Sequence, residues 1–73
     1  MENFAVVTET FIDENGNSSV TSLVYDEIDA GKSAFYDKAK YVPIYTGDGY
    51  KAVTIVDYTM NNILDPVIKD NRK

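Results

Sequence analysis

Residues 26–42, DEIDAGKSAFYDKAKYV, decide the fold because they are the only stretch with the hydrophobic spacing of a helix. At about 100° per residue, the positions on one narrow face are Ile28, Gly31, Phe35, Ala39 and Val42. Asp26 is placed to cap the first turn, since its side-chain oxygen accepts from free N–H groups. Pro43 ends the run, because the residue before a proline avoids helical geometry. We predict one helix over about residues 27–42, with Phe35 buried against a sheet.

The remaining sequence has the composition of strands and turns, being rich in β-branched and aromatic residues. Strands are predicted at residues 3–13, 18–25, 50–58 and 63–69, with residues 70–73 as a frayed tail. Pro66 cannot donate to a ladder, so the last strand belongs at an edge. Asn61-Asn62 is read as a tight turn, with a short helical turn over residues 59–64 as the alternative. The predicted fold class is α+β: one domain with a four-stranded, mainly antiparallel sheet, in the order ββαββ, and one helix packed on it.

Asn15-Gly16 is the strongest hairpin signal in the chain, because a two-residue turn needs positive φ at both positions. With these two residues as the turn, Phe11 lies opposite Val20. Both faces of this first hairpin are then apolar, although a single helix covers only one. The predicted second face is a self-association surface made of Phe4, Val6, Ile12, Leu23 and Tyr25.

The bulk properties describe a small acidic chain of 73 residues with no cysteine and no histidine. A domain of this size is marginally stable alone, so it depends on good packing or on association, and we expect a homodimer. The sequence contains no apolar run of membrane-spanning length and no signal-peptide pattern. The absence of cysteine fits a reducing compartment. We therefore expect a cytoplasmic protein without membrane contact.

Charge is distributed unevenly along the chain, whose formal net charge is −5. Residues 1–31 carry acidic side chains and no basic ones, so direct binding of nucleic acid is not expected. The acidic half has two interpretations. One is an ordinary solvated surface, and the other is a patch that faces a basic protein partner.

Six tyrosines are many for so short a chain. Tyrosine combines a large rigid contact area with a polar tip, and it is enriched at interfaces. The tyrosines either rim the core or line a recognition surface near the end of the helix. The candidate partner-binding residues are Tyr36, Tyr41, Tyr45 and Tyr50.

Catalytic and metal-binding patterns are weak. Without histidine or cysteine the chain has neither a Ser/His/Asp nor a Cys/His site, and we predict that it is not an enzyme. The acidic turn that begins at Asp13 lacks the glycine and glutamate positions of a calcium loop. Gly47-Asp48-Gly49 precedes a strand, whereas a phosphate cradle needs a helix N-terminus. No cofactor and no metal are predicted.

Three segments carry a family resemblance: FAVVTETFIDENGN (4–17), VTSLVYDEIDAGKSAFYDKAKY (20–41) and AVTIVDYTMNN (52–62). Their order resembles a loose group of short proteins from phages and prophages of Gram-positive bacteria. The chain departs from that group where Pro66 interrupts the last strand. The resemblance implies an accessory protein of a mobile element that binds a host protein, and it assigns no site residue.

Three functional hypotheses follow. The leading one is a non-enzymatic protein-binding module, of phage or mobile-element origin, that binds and modulates a host protein. The second is a self-assembling structural or scaffold component. The third is a homo-oligomer that sequesters a small ligand at its subunit interface.

Overall fold

The computed structural model describes residues 3–73. Its elements are, in chain order, β1 (Ala5–Ile12), β2 (Ser18–Tyr25), α1 (Ile28–Ala39), β3 (Tyr50–Asp57) and β4 (Val67–Asp70). The strands form one antiparallel sheet in the order β2-β1-β3-β4, and α1 packs on one side of it. The α+β fold predicted from the sequence is therefore confirmed. The described residues include no helix that is long and apolar enough to cross a membrane.

Several element boundaries differ from the predicted ones. Glu27 is extended and forms the N-cap of α1 without a side-chain capping bond, so the predicted cap by Asp26 is wrong. The helix ends at Ala39 because tight turns follow, in which the Val42 N–H donates to the Ala39 carbonyl at 3.1 Å. β1 is shorter than predicted at both ends, and β4 begins only at Val67.

The core lies between α1 and the sheet, and the predicted helix face points into it. Phe35 is only 2% exposed, which confirms its predicted burial. The other buried members of the core are Ala5, Val7, Ala39, Val42, Val53 and Ile55. The helix approaches the sheet most closely at Gly31, where a methyl group would lie 2.7 Å from the Ala5 Cβ. A larger residue at this position would push the helix away from the sheet.

The first hairpin has a longer loop than predicted, and its register is therefore shifted by one residue. The Asp13 N–H donates to the Asn17 carbonyl at 2.9 Å, and the Gly16 N–H donates to the Asp13 carbonyl at 3.1 Å. Gly16 has φ +85, as a turn glycine requires, but it is the last residue of a three-residue loop. Phe11 consequently pairs with Ser19 instead of Val20.

A one-residue slip turns every side chain of a strand to the other face of the sheet. Leu23 and Tyr25 pair with Val7 and Ala5 and lie on the helix side, where Tyr25 packs against the core. The prediction that the five residues of the self-association surface share one face is therefore wrong. By strand alternation, the members left on the side away from the helix are Phe4, Val6 and Ile12, and the shift adds Val20 and Val24 to them.

The second hairpin uses the same turn as the first. The Asp57 N–H donates to the Asn61 carbonyl and the Met60 N–H donates to the Asp57 carbonyl, both at 3.0 Å. Met60, with φ 67, occupies the position that corresponds to Gly16. The turn centre is thus residues 58–60, and neither the Asn61-Asn62 turn nor the short helical turn over residues 59–64 is present.

Two extra residues then interrupt this second hairpin. In a regular antiparallel pair the residue numbers of the partners have a constant sum. The sum is 118 for Val56 with Asn62 but 120 for Val53 with Val67, so two extra residues lie between these pairs. Ile63 lies opposite Ile55 just before the insertion and Leu64 lies within it, and both half-buried side chains pack against the core. The insertion also delays the start of β4.

We expect Gly31→Ala to lower the free energy of unfolding by about 1–3 kcal/mol, because the added methyl group overpacks the contact with Ala5. Helix propensity alone predicts the opposite sign, a gain of about 1 kcal/mol. Urea denaturation measures the difference. Ser33→Ala, at an exposed position of α1, is the control and should be neutral or slightly stabilising. A more stable Gly31→Ala variant would contradict the close approach.

We expect Met60→Gly to raise the free energy of unfolding by about 0.5–1 kcal/mol, since glycine relieves a positive φ that is unfavourable for methionine. The reciprocal change Gly16→Val should be destabilising, because a β-branched residue resists positive φ. Both variants are compared by thermal and chemical unfolding. If both Met60→Gly and Gly16→Val changed the free energy of unfolding in the same direction, the two turns would not be equivalent.

Candidate functional site

β2 is an edge strand with none of the usual protective features. Its eight residues, SSVTSLVY, include no charged residue, no proline and no glycine. All but the last of them are exposed. Proteins commonly shield an edge of this length with a lysine, a proline or a bulge, because a free edge pairs readily with another strand.

The turn determines which backbone groups of β2 are free. Asp13 and Asn17 form a hydrogen-bonded pair, and such pairs alternate along an antiparallel ladder. The odd-numbered residues of β2 therefore bond to β1. The Thr8 and Ser22 hydroxyls, 2.9 Å apart, belong to one of the closer pairs without backbone bonds. The residues that direct N–H and C=O groups away from the sheet are Ser18, Val20, Ser22 and Val24.

The opposite edge, β4, is shielded. It has only four residues, which include Lys69 and Asp70, and it follows Pro66 and the two-residue insertion. The tail beyond it, predicted to be frayed, is anchored at Asn71, whose side chain donates to the Gly47 carbonyl at 3.0 Å and whose N–H donates to the Gly49 carbonyl at 2.8 Å. The two edges of one sheet thus differ sharply in their capacity to accept another strand.

The side of the sheet away from α1, here called the open face, is almost free of charge. It is formed by the even-numbered strand residues, and among those that the structure describes Asp70, at one corner, is the only charged one. Arg72, from the tail, pairs with Asp70 at the same corner and lies over Tyr50. Its hydroxyl members are Thr8, Thr10, Ser18, Ser22 and Thr54, and its apolar members are Val6, Ile12, Val20, Val24, Ala52, Val56 and Ile68, with Tyr50 beside them. Val20 and Val24 are 63% and 64% exposed. A large uncharged surface is typical of a protein contact.

The four candidate tyrosines do not form one surface. Tyr36 and Tyr41 are exposed on the helix side, whereas Tyr50 lies on the open face under the Arg72 guanidinium, 5.0 Å from its ring centre. Tyr45 has a structural role, because its hydroxyl accepts from the Gly49 N–H at 3.1 Å. Its ring also packs edge-on against Phe11. Partner binding by these residues stays a prediction.

A cleft of about 510 Å³ lies between α1 and the sheet. The Lys38 Nζ meets the Glu9 carboxylate there at 2.9 Å, and this hydrogen bond together with the negative charge of Glu9 raises the pKa of Lys38. The pair is partly open to solvent, so its two charges neutralise one another at a modest gain in stability. Within residues 3–73 no three acidic side chains converge to hold a metal ion.

Comparisons of the chain with protein-family models, with curated proteins and with solved structures find no match. The resemblance to short phage and prophage proteins therefore stays a prediction, and the site rests on its geometry.

The charge-free edge was visible in the sequence as SSVTSLVY, between acidic residues on both sides. The sequence did not predict it as a site, because the position of β2 at the edge depends on the strand order of the folded sheet. The shielding of β4 was visible only in part, through Pro66.

The Asp13 carboxylate holds the turn that leads into β2. It accepts from the N–H groups of Asn17 and Asn15, both at 2.9 Å, and these bonds, that of Asn17 above all, lower the pKa of Asp13 below its ordinary value of 3.8. A carboxylate whose pKa is lowered by folding contributes stability at pH values above its unfolded-state pKa. That contribution is lost as pH falls through the folded-state pKa. We expect Asp13→Asn to reduce the loss of stability on acidification below about pH 4. Urea unfolding at several pH values measures it.

Asp65→Asn is the control for this effect, because Asp65 is an exposed loop carboxylate outside the turn and is in none of the ion pairs of the described residues. It should leave the acid dependence close to that of the unmodified chain. An Asp13 carboxyl that titrates by NMR at or above the ordinary value would contradict the assigned role.

Proposed function

We propose that this protein is a small acidic, non-enzymatic protein-binding module whose binding surface is the open face of the sheet. The observation that carries the proposal is the near absence of charge from this face, in a chain where 26% of the residues are charged. The charged side chains lie on the helix side, at the rim and in the loops. Such segregation supports a surface that is desolvated by a partner.

The chemistry of the face suits a flat contact. Threonine and serine hydroxyls at its centre supply hydrogen bonds, and the valines of β2 supply apolar area. Because strands present rigid, alternating side chains, the surface is ordered before the partner arrives, which reduces the entropic cost of binding.

Two further features support a binding role over catalysis. The chain has no histidine and no cysteine, the side chains most used as bases and nucleophiles. The ion pair in the cleft, Glu9 with Lys38, is mutually satisfied. We place the partner among host proteins in the cytoplasm, in keeping with the resemblance to phage accessory proteins and with the absence of cysteine.

The proposal is tested by placing a charge at the centre of the open face. Thr54→Lys should lose at least about tenfold in affinity for a captured partner, since a desolvated lysine has no counter-charge there. Ser33→Lys adds the same charge at an exposed position of α1 and is the matched control. Each purified variant is immobilised, exposed to host lysate, and the captured proteins are compared after the melting temperatures show that both fold. A partner retained equally by both variants would overturn the proposal.

A further inference from the structure

We propose that β2 pairs with β2 of a second copy of this chain, around a two-fold axis, so that two four-stranded sheets join into one antiparallel sheet of eight strands. This goes beyond the proposed function, because it identifies a second contact, at the edge of the sheet, and its occupant. The two open faces would then lie side by side as one continuous surface.

Backbone geometry makes this edge complementary to itself. Each outward residue of β2 offers both an N–H donor and a C=O acceptor, and an antiparallel copy offers the same groups in reverse order. When Ser18 pairs with Val24 and Val20 with Ser22, every free group on both copies finds a partner, in about eight hydrogen bonds. A shift of two residues would leave the groups of Ser18 or of Val24 unpaired. The complete register places Thr21 on the axis, opposite itself.

Charge permits the same arrangement. Because β2 carries no charged side chain, self-pairing places no like charges directly opposite one another. At each end of the pair, Glu14 of one copy approaches Glu27 of the other copy. Salt should therefore strengthen the dimer by screening this repulsion, whereas it would weaken the binding of a basic peptide at the same edge.

The surroundings leave room for the second copy. Leu23 points to the helix side but is 46% exposed, so α1 does not overhang the edge. The shielded β4 edge prevents the joined sheet from growing further. The assembly is therefore a closed dimer and not a filament.

Disulfide trapping tests the register, because the natural chain has no cysteine. Thr21→Cys should form a disulfide-linked dimer under mild oxidation, since the two thiols meet at the axis within reach of a disulfide. Ser19→Cys is the matched control, exposed on the same side of the same strand. Its counterpart lies about four residues away along the pair, roughly 14 Å, which is too far for a disulfide. Equal trapping of both variants would overturn the register.

Light scattering after size exclusion tests the contact itself. The unmodified chain should have twice its 8.2 kDa mass at micromolar concentration. Val20→Pro removes an N–H that points away from β1, so the fold is kept while dimerisation weakens at least about tenfold. Val20→Thr retains the N–H and should remain a dimer. If Val20→Pro fails to fold, Val20→Lys, which keeps the N–H and adds a repelling charge, replaces it.

Three results would overturn the inference: a mass near 8.2 kDa for the unmodified chain, a dimer that persists in the Val20→Pro variant, or a dimer that weakens as salt rises. A persistent dimer would place the contact between open faces. These outcomes are independent of the Thr54→Lys test, so a monomer that still binds a partner through the open face would retain the proposed function.

Discussion

The hydrogen bond from the Asp13 N–H to the Asn17 carbonyl governs the rest of the structure. It closes a three-residue loop and so decides which residues of β2 face the helix. With this register Tyr25 packs beside Gly31 at the closest contact between helix and sheet, and Val20 turns outward. The same bond determines which backbone groups of β2 point into solvent. One turn thus sets the core, the open face and the free edge together.

The two hairpins are related by an approximate two-fold symmetry within the sheet. Asp13 and Asp57 are 44 residues apart (57 − 13), and so are the paired residues Glu9 and Val53 (53 − 9), which places that pair at the axis. The two-residue insertion before β4 breaks the symmetry. It places Leu64 next to Ile63 against the core, where a sheet with one helix lacks apolar cover, and it shortens and shields the edge. β2 has no such insertion and remains long and open.

The sequence was sufficient for the element order and the helix face, because hydrophobic period and proline position report on them directly. It was insufficient for the register, since Asn15-Gly16 fits a two-residue turn and also the last two positions of a three-residue loop. The second turn escaped prediction because Met60 adopts positive φ without being glycine. The self-association surface was predicted from the two-residue register, so it combined residues that lie on opposite faces of the sheet. One residue of loop length decides which side chains of β2 face the helix and which face away from it, and amino-acid composition does not reveal that length.

The contrast between the two edges argues against an unlimited scaffold. A chain with little protection against strand pairing would leave both edges bare, yet β4 combines a short strand, Pro66, Lys69 and an insertion. Protection at one edge and its complete absence at the other confine pairing to a single contact for each copy. Head-to-tail growth would need two complementary edges on every copy, whereas a two-fold contact needs only one that is complementary to itself. Because the shielded β4 edge is poorly suited to accept a strand, the proposed association through β2 would close after two copies and would leave the nearly uncharged face of each sheet free for the proposed partner.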